Sequence, residues 1–229
     1  MNAHEAWADE MLQYVATVRP DLSDNERELQ QQSLVRFRTL HFERVEASFE
    51  DKDKRGILFE ALVLSDPRYP NSSIIEKQVC DYLFCCLRHD PFGVIVKGNF
   101  SIPDDIAVEV EGSRAIVVGL VEVKLDITHP KTKPQLAKHI ANLSLIGAAI
   151  DQYLNFGDEL PACEETEWPM SVDSLVVPDE YDRVLFKPAE GSFVKINGWQ
   201  VLPALFSRRE VRVIADFLWH LGKEVEPMD

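Results

Sequence analysis

The chain predicts an α/β fold, a central mixed sheet flanked by helices with a helical extension at the N-terminus. Three observations predict it. Gly112-Ser113 is a favourable two-residue turn between two β-branched, apolar runs, which marks a β-hairpin. Helix-spaced apolar residues precede that hairpin, and a long helical segment follows it. At 229 residues and 45% hydrophobic content, the chain is long enough to bury one good core.

Residues 3 to 18 and 24 to 48 read as helices, the second opening at Ser23-Asp-Asn-Glu26, a capping-box pattern. Asp51-Lys-Asp-Lys-Arg55 is a charged break, so residues 1 to 54 form an extension packed on a domain spanning 55 to 229. Residues 56 to 64 are a short apolar helix, and Pro67 to Ser73 a loop able to cap the next one. From 73 to 89, Ile75, Val79, Leu83, Cys86 and Leu87 recur at helical spacing. Residues 93 to 100 read as a strand leading into the hairpin. Pro134 suits the first turn of a helix reaching Leu154. An acidic loop spans 155 to 182, strands follow over 181 to 187 and 193 to 202, and an amphipathic helix over 208 to 221 closes the chain.

Parity along the hairpin decides which side chains meet. Centring the turn on Gly112-Ser113 pairs Ala107 with Val118 and Asp105 with Leu120. One face then carries Ile106, Val108, Val110, Val117, Gly119, Val121 and Val123, all apolar. The other gathers Asp105, Glu122 and Lys124 at the polar end, with Asp104 at the strand entry or toward the apolar side. One residue of slip, as in a three-residue turn, exchanges the two aspartates. The spacing favours Asp105.

Pro103-Asp104-Asp105, a hairpin, then Glu122-Val123-Lys124 resembles the core of the PD-(D/E)XK nuclease superfamily, over roughly residues 72 to 154. The resemblance implies a restriction-endonuclease-like core and a Mg²⁺ (or Mn²⁺) ion held by Asp105, Glu122 and the Val123 carbonyl. Lys124 would orient a water or offset charge. A helix glutamate joins many such sites, and here Glu76 is the first choice and Glu60 the second. A subset carries a glutamine four residues ahead of a tyrosine, whereas Gln135 is followed here by His139. DNA is the implied substrate, with defence or repair as settings.

Net charge is −15, from 24 Lys and Arg against 39 Asp and Glu, which opposes non-specific binding to phosphates. Distribution tempers the total. Residues 127 to 150 hold Lys131, Lys133, Lys138, His129 and His139 and no acid. Gln135, Lys138, His139 and Asn142 share one helix face. Lys131, Lys133, Gln135, Lys138 and His139 are therefore the nucleic-acid-binding candidates, and a polar solvent-facing stripe explains that helix face as well. Residues 155 to 182 hold nine acids and no Lys or Arg. A solvated loop explains them simply, while a strand mimic that covers the basic face or docks a basic partner is the sharper alternative.

Neither a leader segment nor a long uncharged apolar run is apparent, so a cytoplasmic protein outside the membrane is expected. Cys80, Cys85, Cys86 and Cys163 lack a zinc spacing and read as reduced thiols, the first three in the core. The competing functional class is a catalytically inactive nuclease-like adaptor or inhibitor that binds a protein partner through its acidic surface. Oligomerisation stays open.

Overall fold

The computed structural model describes residues 2–46, 55–68, 72–164, 166–191, 194, 196 and 198–224, with side chains to residue 219. The expected charged break at 51 to 55 falls largely outside the described residues.

Twelve elements follow in order: α1 (Ala3–Ala16), α2 (Asp24–Leu40), α3 (Phe42–Glu46), α4 (Arg55–Leu64), α5 (Ile74–His89), β1 (Asp105–Glu111), β2 (Arg114–Val123), α6 (Thr132–Phe156), β3 (Ser174–Val176), β4 (Asp182–Lys187), β5 (Gln200–Pro203) and α7 (Arg208–Glu224). Capping boxes open α1, α2 and α5, at Asn2, Ser23 and Ser73, each satisfying backbone N–H groups that a helix start leaves bare.

The sheet is mixed and five-stranded. β1 and β2 are antiparallel, β4 lies parallel to β2, and β5 lies parallel to β4. The short β3 pairs parallel with the start of β2, and β4 with its end. Helix α6 makes the crossover from β2, and it approaches β3 closely enough that a Cβ on Gly147 would come within 2.3 Å of Val177 Cγ2.

Two apolar clusters sandwich the sheet. Val79, Leu83 and Cys86 of α5 meet Val117 and Leu120 of β2 and Leu143 and Ile146 of α6. Behind the sheet, Val121 and Val123 pack with Leu34, Leu58, Phe59 and Ile214 from α2, α4 and α7. The N-terminal helices thus share a core with the sheet.

Three local expectations are corrected. Residues 93 to 100 form turns and bends, not a strand. Gly93 and Gly98 take positive φ, and the Asp90 carboxylate accepts from the N–H groups of Val94 and Ile95, both at 2.9 Å, which curls the segment. Cys85 is bonded to Cys163 in a disulfide, so these two are not reduced thiols; Cys80 and Cys86 remain free and buried. The polar stripe of α6 does not face solvent, because His139 and Asn142 are buried and Asn142 donates to the Asn99 carbonyl at 2.9 Å.

Candidate active site

The turn forms as the sequence predicts: Glu111 pairs with Arg114, Val110 with Ala115 and Val108 with Val117. A bulge then intervenes. Val108 pairs with Val117 but Ala107 pairs with Gly119, leaving Val118 as an extra residue in β2. Gly119 permits this close approach, since a Cβ there would lie 3.2 Å from that of Ala107.

The bulge exchanges the two aspartates. Asp105 pairs with Val121, and Asp104, just ahead of the strand, feels the charge of Glu122. Asp104 N–H donates to the Val121 carbonyl at 3.1 Å, and its Oδ2 accepts from Val123 N–H at 2.6 Å. Burial, followed by the charges of Glu122 and Glu60, pushes the Asp104 carboxyl up to about 7, against the pull of Lys124 and the Val123 N–H. Asp105, the residue expected here, instead accepts from Ile106 N–H at 2.9 Å, and burial alone raises it to about 6. The expected grouping of Asp105 with Glu122 and Lys124 is therefore replaced by one in which Asp104 feels both.

Glu122 is fully buried. Lys124 Nζ contacts its Oε1, which also accepts from Gln135 Nε2 at 3.2 Å. His139 Nε2 lies 3.0 Å from Glu122 Oε2, within ion-pair range but out of line for a hydrogen bond. Both imidazole nitrogens and Oε2 consequently have no hydrogen-bond partner among the described residues. Gln135 and His139, one turn apart on α6, bracket the carboxylate. Their expected role in touching nucleic acid is corrected for His139, whose 0% exposure leaves no surface for a nucleic-acid strand to contact.

Glu76 stands elsewhere. It is the N3 residue of the α5 capping box, accepting from Ser73 N–H at 2.6 Å, and that bond holds its carboxyl below the usual range. Its strand neighbour is Val110, toward the hairpin turn. Glu60 of α4 takes the helix position at the site instead, held by Arg44 Nη2 at 2.8 Å.

Asp104 and Glu60 open onto a cleft of about 860 Å³, which Arg44, Asp81, Cys85, Arg88 and Glu164 also line. Lys131 and Lys133 are exposed at the start of α6 and Lys138 is half-buried, but none of the three lines this cleft. Its guanidinium groups, Arg44 and Arg88, were missed in the sequence because only the tertiary fold brings α3 and α5 together.

Among the described residues, no three His, Cys, Asp or Glu side chains converge as a metal cluster. The donor set still fits a hydrated Mg²⁺, which commonly takes one or two carboxylates and fills its shell with water and substrate phosphate. Asp104 faces Glu122 and feels Glu60, and Glu122 Oε2 has no hydrogen-bond partner, a concentration of negative charge that a cation would relieve. No family model, curated protein or solved structure matches the chain.

Proposed function

We propose that the protein is a metal-dependent nuclease that hydrolyses phosphodiester bonds of DNA. The observation that carries this reading is the neighbouring carboxyl groups of Asp104 and Glu122, with Lys124 against Glu122 and Asp104 lining an open cleft. The succession of α5, the β1–β2 hairpin, α6 and parallel β4, with carboxylates at the open end of the hairpin, supports a restriction-endonuclease-like core.

Asp104 and Glu122 are the residues that would hold Mg²⁺ or Mn²⁺, with the Val123 carbonyl as the third protein oxygen. Bound there, the ion supplies Lewis-acid polarisation of a phosphate and a water of lowered pKa. Val123 N–H fixes Asp104, while Gln135 and His139 fix Glu122 from α6. Lys124 would offset negative charge beside the reacting phosphate, and Glu60, held by Arg44, would add a carboxylate at the cleft wall. Arg44 and Arg88 attract the anionic backbone locally, despite the overall charge of −15.

The test is cleavage of linear and plasmid DNA with Mg²⁺ or Mn²⁺ by the wild type and by folded Asp104→Asn and Glu122→Gln variants. Metal-dependent cleavage lost in both variants is expected. Cleavage that survives either substitution would overturn the assignment.

The net charge favours a second reading, an inactive nuclease-like adaptor that docks a protein partner through its acidic surface. Metal binding without hydrolysis of any nucleic acid, together with capture of a basic partner, is its signature. No helix among the described residues is long and apolar enough to cross a membrane.

A further inference from the structure

The acidic segment after α6 is fastened beside the proposed active site. Cys163 is bonded to Cys85 on α5, across 78 residues of sequence. Tyr82 of the same helix donates its hydroxyl to the Pro161 carbonyl at 2.8 Å and packs edge-on against Trp168, ring centroids 5.5 Å apart. Between these anchors the chain turns sharply. Thr166 N–H donates to the Cys163 carbonyl at 3.0 Å, and Glu164 takes φ 43°, a left-handed conformation uncommon outside glycine. The turn sets Glu164 Oε1 3.3 Å from His89 Nε2, and Glu164, Thr166 and Cys85 line the same cleft as Asp104, Glu60 and Arg88.

An exposed ion pair of this kind contributes little by itself. The covalent bond is what keeps a carboxylate beside the basic last turn of α5, where Arg88 has no ion pair among the described residues. A carboxylate that meets a histidine nitrogen and lines one cleft with an arginine occupies a place a phosphate would take.

We propose that Arg88 and His89 form a docking point for a substrate phosphate, that Glu164 occupies it, and that the Cys85–Cys163 disulfide is a reducible latch keeping it occupied. The inference rests on the nuclease reading for what enters the cleft. A dithiol reductant opens the latch: its first thiolate attacks one sulfur, its second thiol displaces the mixed disulfide, and two electrons and two protons pass to Cys85 and Cys163. The reductant leaves as its own disulfide. Cys80 and Cys86 take no part, since burial pushes both thiols up to about 12.

The experiment uses the full chain, oxidised or treated with dithiothreitol and then freed of it, with circular dichroism to establish that both forms are folded. Thiol counting under denaturing conditions should find two free cysteines of the four in the oxidised form and four after reduction. Affinity for a fluorescent DNA duplex, measured in Ca²⁺ to avoid turnover, should rise about 5- to 150-fold on reduction, the usual range of site coupling. Glu164→Gln in the oxidised protein should tighten binding about two- to fivefold by removing the exposed charge. Arg88→Ala in the reduced protein should flatten the dependence of log affinity on log salt by about one.

Four free thiols before reduction would overturn the latch, as would equal DNA affinity in both redox states with no response to Glu164→Gln. Mg²⁺-dependent cleavage at equal rates in both states would sink this inference and leave the nuclease reading standing. Reduction-dependent binding with no cleavage would support the latch and sink the nuclease reading.

Discussion

Asp104 stands within reach of the charge of Glu122, and the Val123 N–H, 2.6 Å from Asp104 Oδ2, fixes it there. The Glu122 carboxylate opposes ionisation of Asp104, since Glu122 and Glu60 both add to the burial that holds Asp104 up at about 7. That tension sets how the site responds to protons, metal and substitution.

The first consequence is a stability gain from removing a charge. A carboxyl whose folded pKa exceeds its unfolded value near 3.8 binds its proton more tightly in the folded state. Its contribution to stability is full below pH 3.8 and is lost as pH rises through about 7. Asp104→Asn, which keeps an acceptor for Val123 N–H, should therefore raise the metal-free melting temperature at pH 8 and change it far less at pH 5. Thermal melts in chelator at the two pH values check this, and equal shifts at both would contradict the buried charge.

Glu60 and Glu76 should separate cleanly. Glu60→Gln should lower cleavage while leaving the fold intact, because it changes a group facing the cleft. Glu76→Ala loses one side of a capping box, at a cost of about 1 kcal/mol or less in denaturant melts, with turnover per folded molecule unchanged. The reverse pattern would return Glu76 to the site.

His139 is a positioning residue for Glu122. His139→Leu should destabilise the fold, as the buried Glu122 carboxylate loses the polar group that stands 3.0 Å from its Oε2. It should also weaken Mg²⁺ activation, while His139→Gln, which restores a polar group beside Glu122, should recover part of it. Metal-concentration profiles of cleavage distinguish this from simple destabilisation, which would leave the half-saturating metal concentration unchanged.

Gly147 is held by packing and not by backbone conformation. Gly147→Ala should force α6 away from Val177 and destabilise by about 1–3 kcal/mol in urea unfolding. A neutral result would mean that the α6–β3 contact is slack.

The hairpin was legible because its signal is local: Gly112-Ser113 fixes the turn, and alternation marks the strands. The bulge was not, because Val118 looks like any β-branched strand residue, and only the pairing of Ala107 with Gly119 reveals it. That single residue moved the site from Asp105 to Asp104. The three- and four-residue spacing correctly put Gln135, His139 and Asn142 on one face of α6, but polarity suggested solvent where the fold buries His139 against Glu122. The strand expected at 93 to 100 failed because β-branched residues there were read without the Asp90 carboxylate that takes their N–H groups. Cys85 and Cys163 could not be paired by spacing, since they are 78 positions apart, with β1, β2 and α6 between them.

Calorimetric titration of Mn²⁺ into folded wild type, Asp104→Asn and Asp105→Asn at pH 7.5 (about this value, near the raised carboxyl) tests the central claim most directly. The account predicts binding by the wild type and Asp105→Asn and its loss in Asp104→Asn. Binding that survives Asp104→Asn but disappears in Asp105→Asn would contradict it.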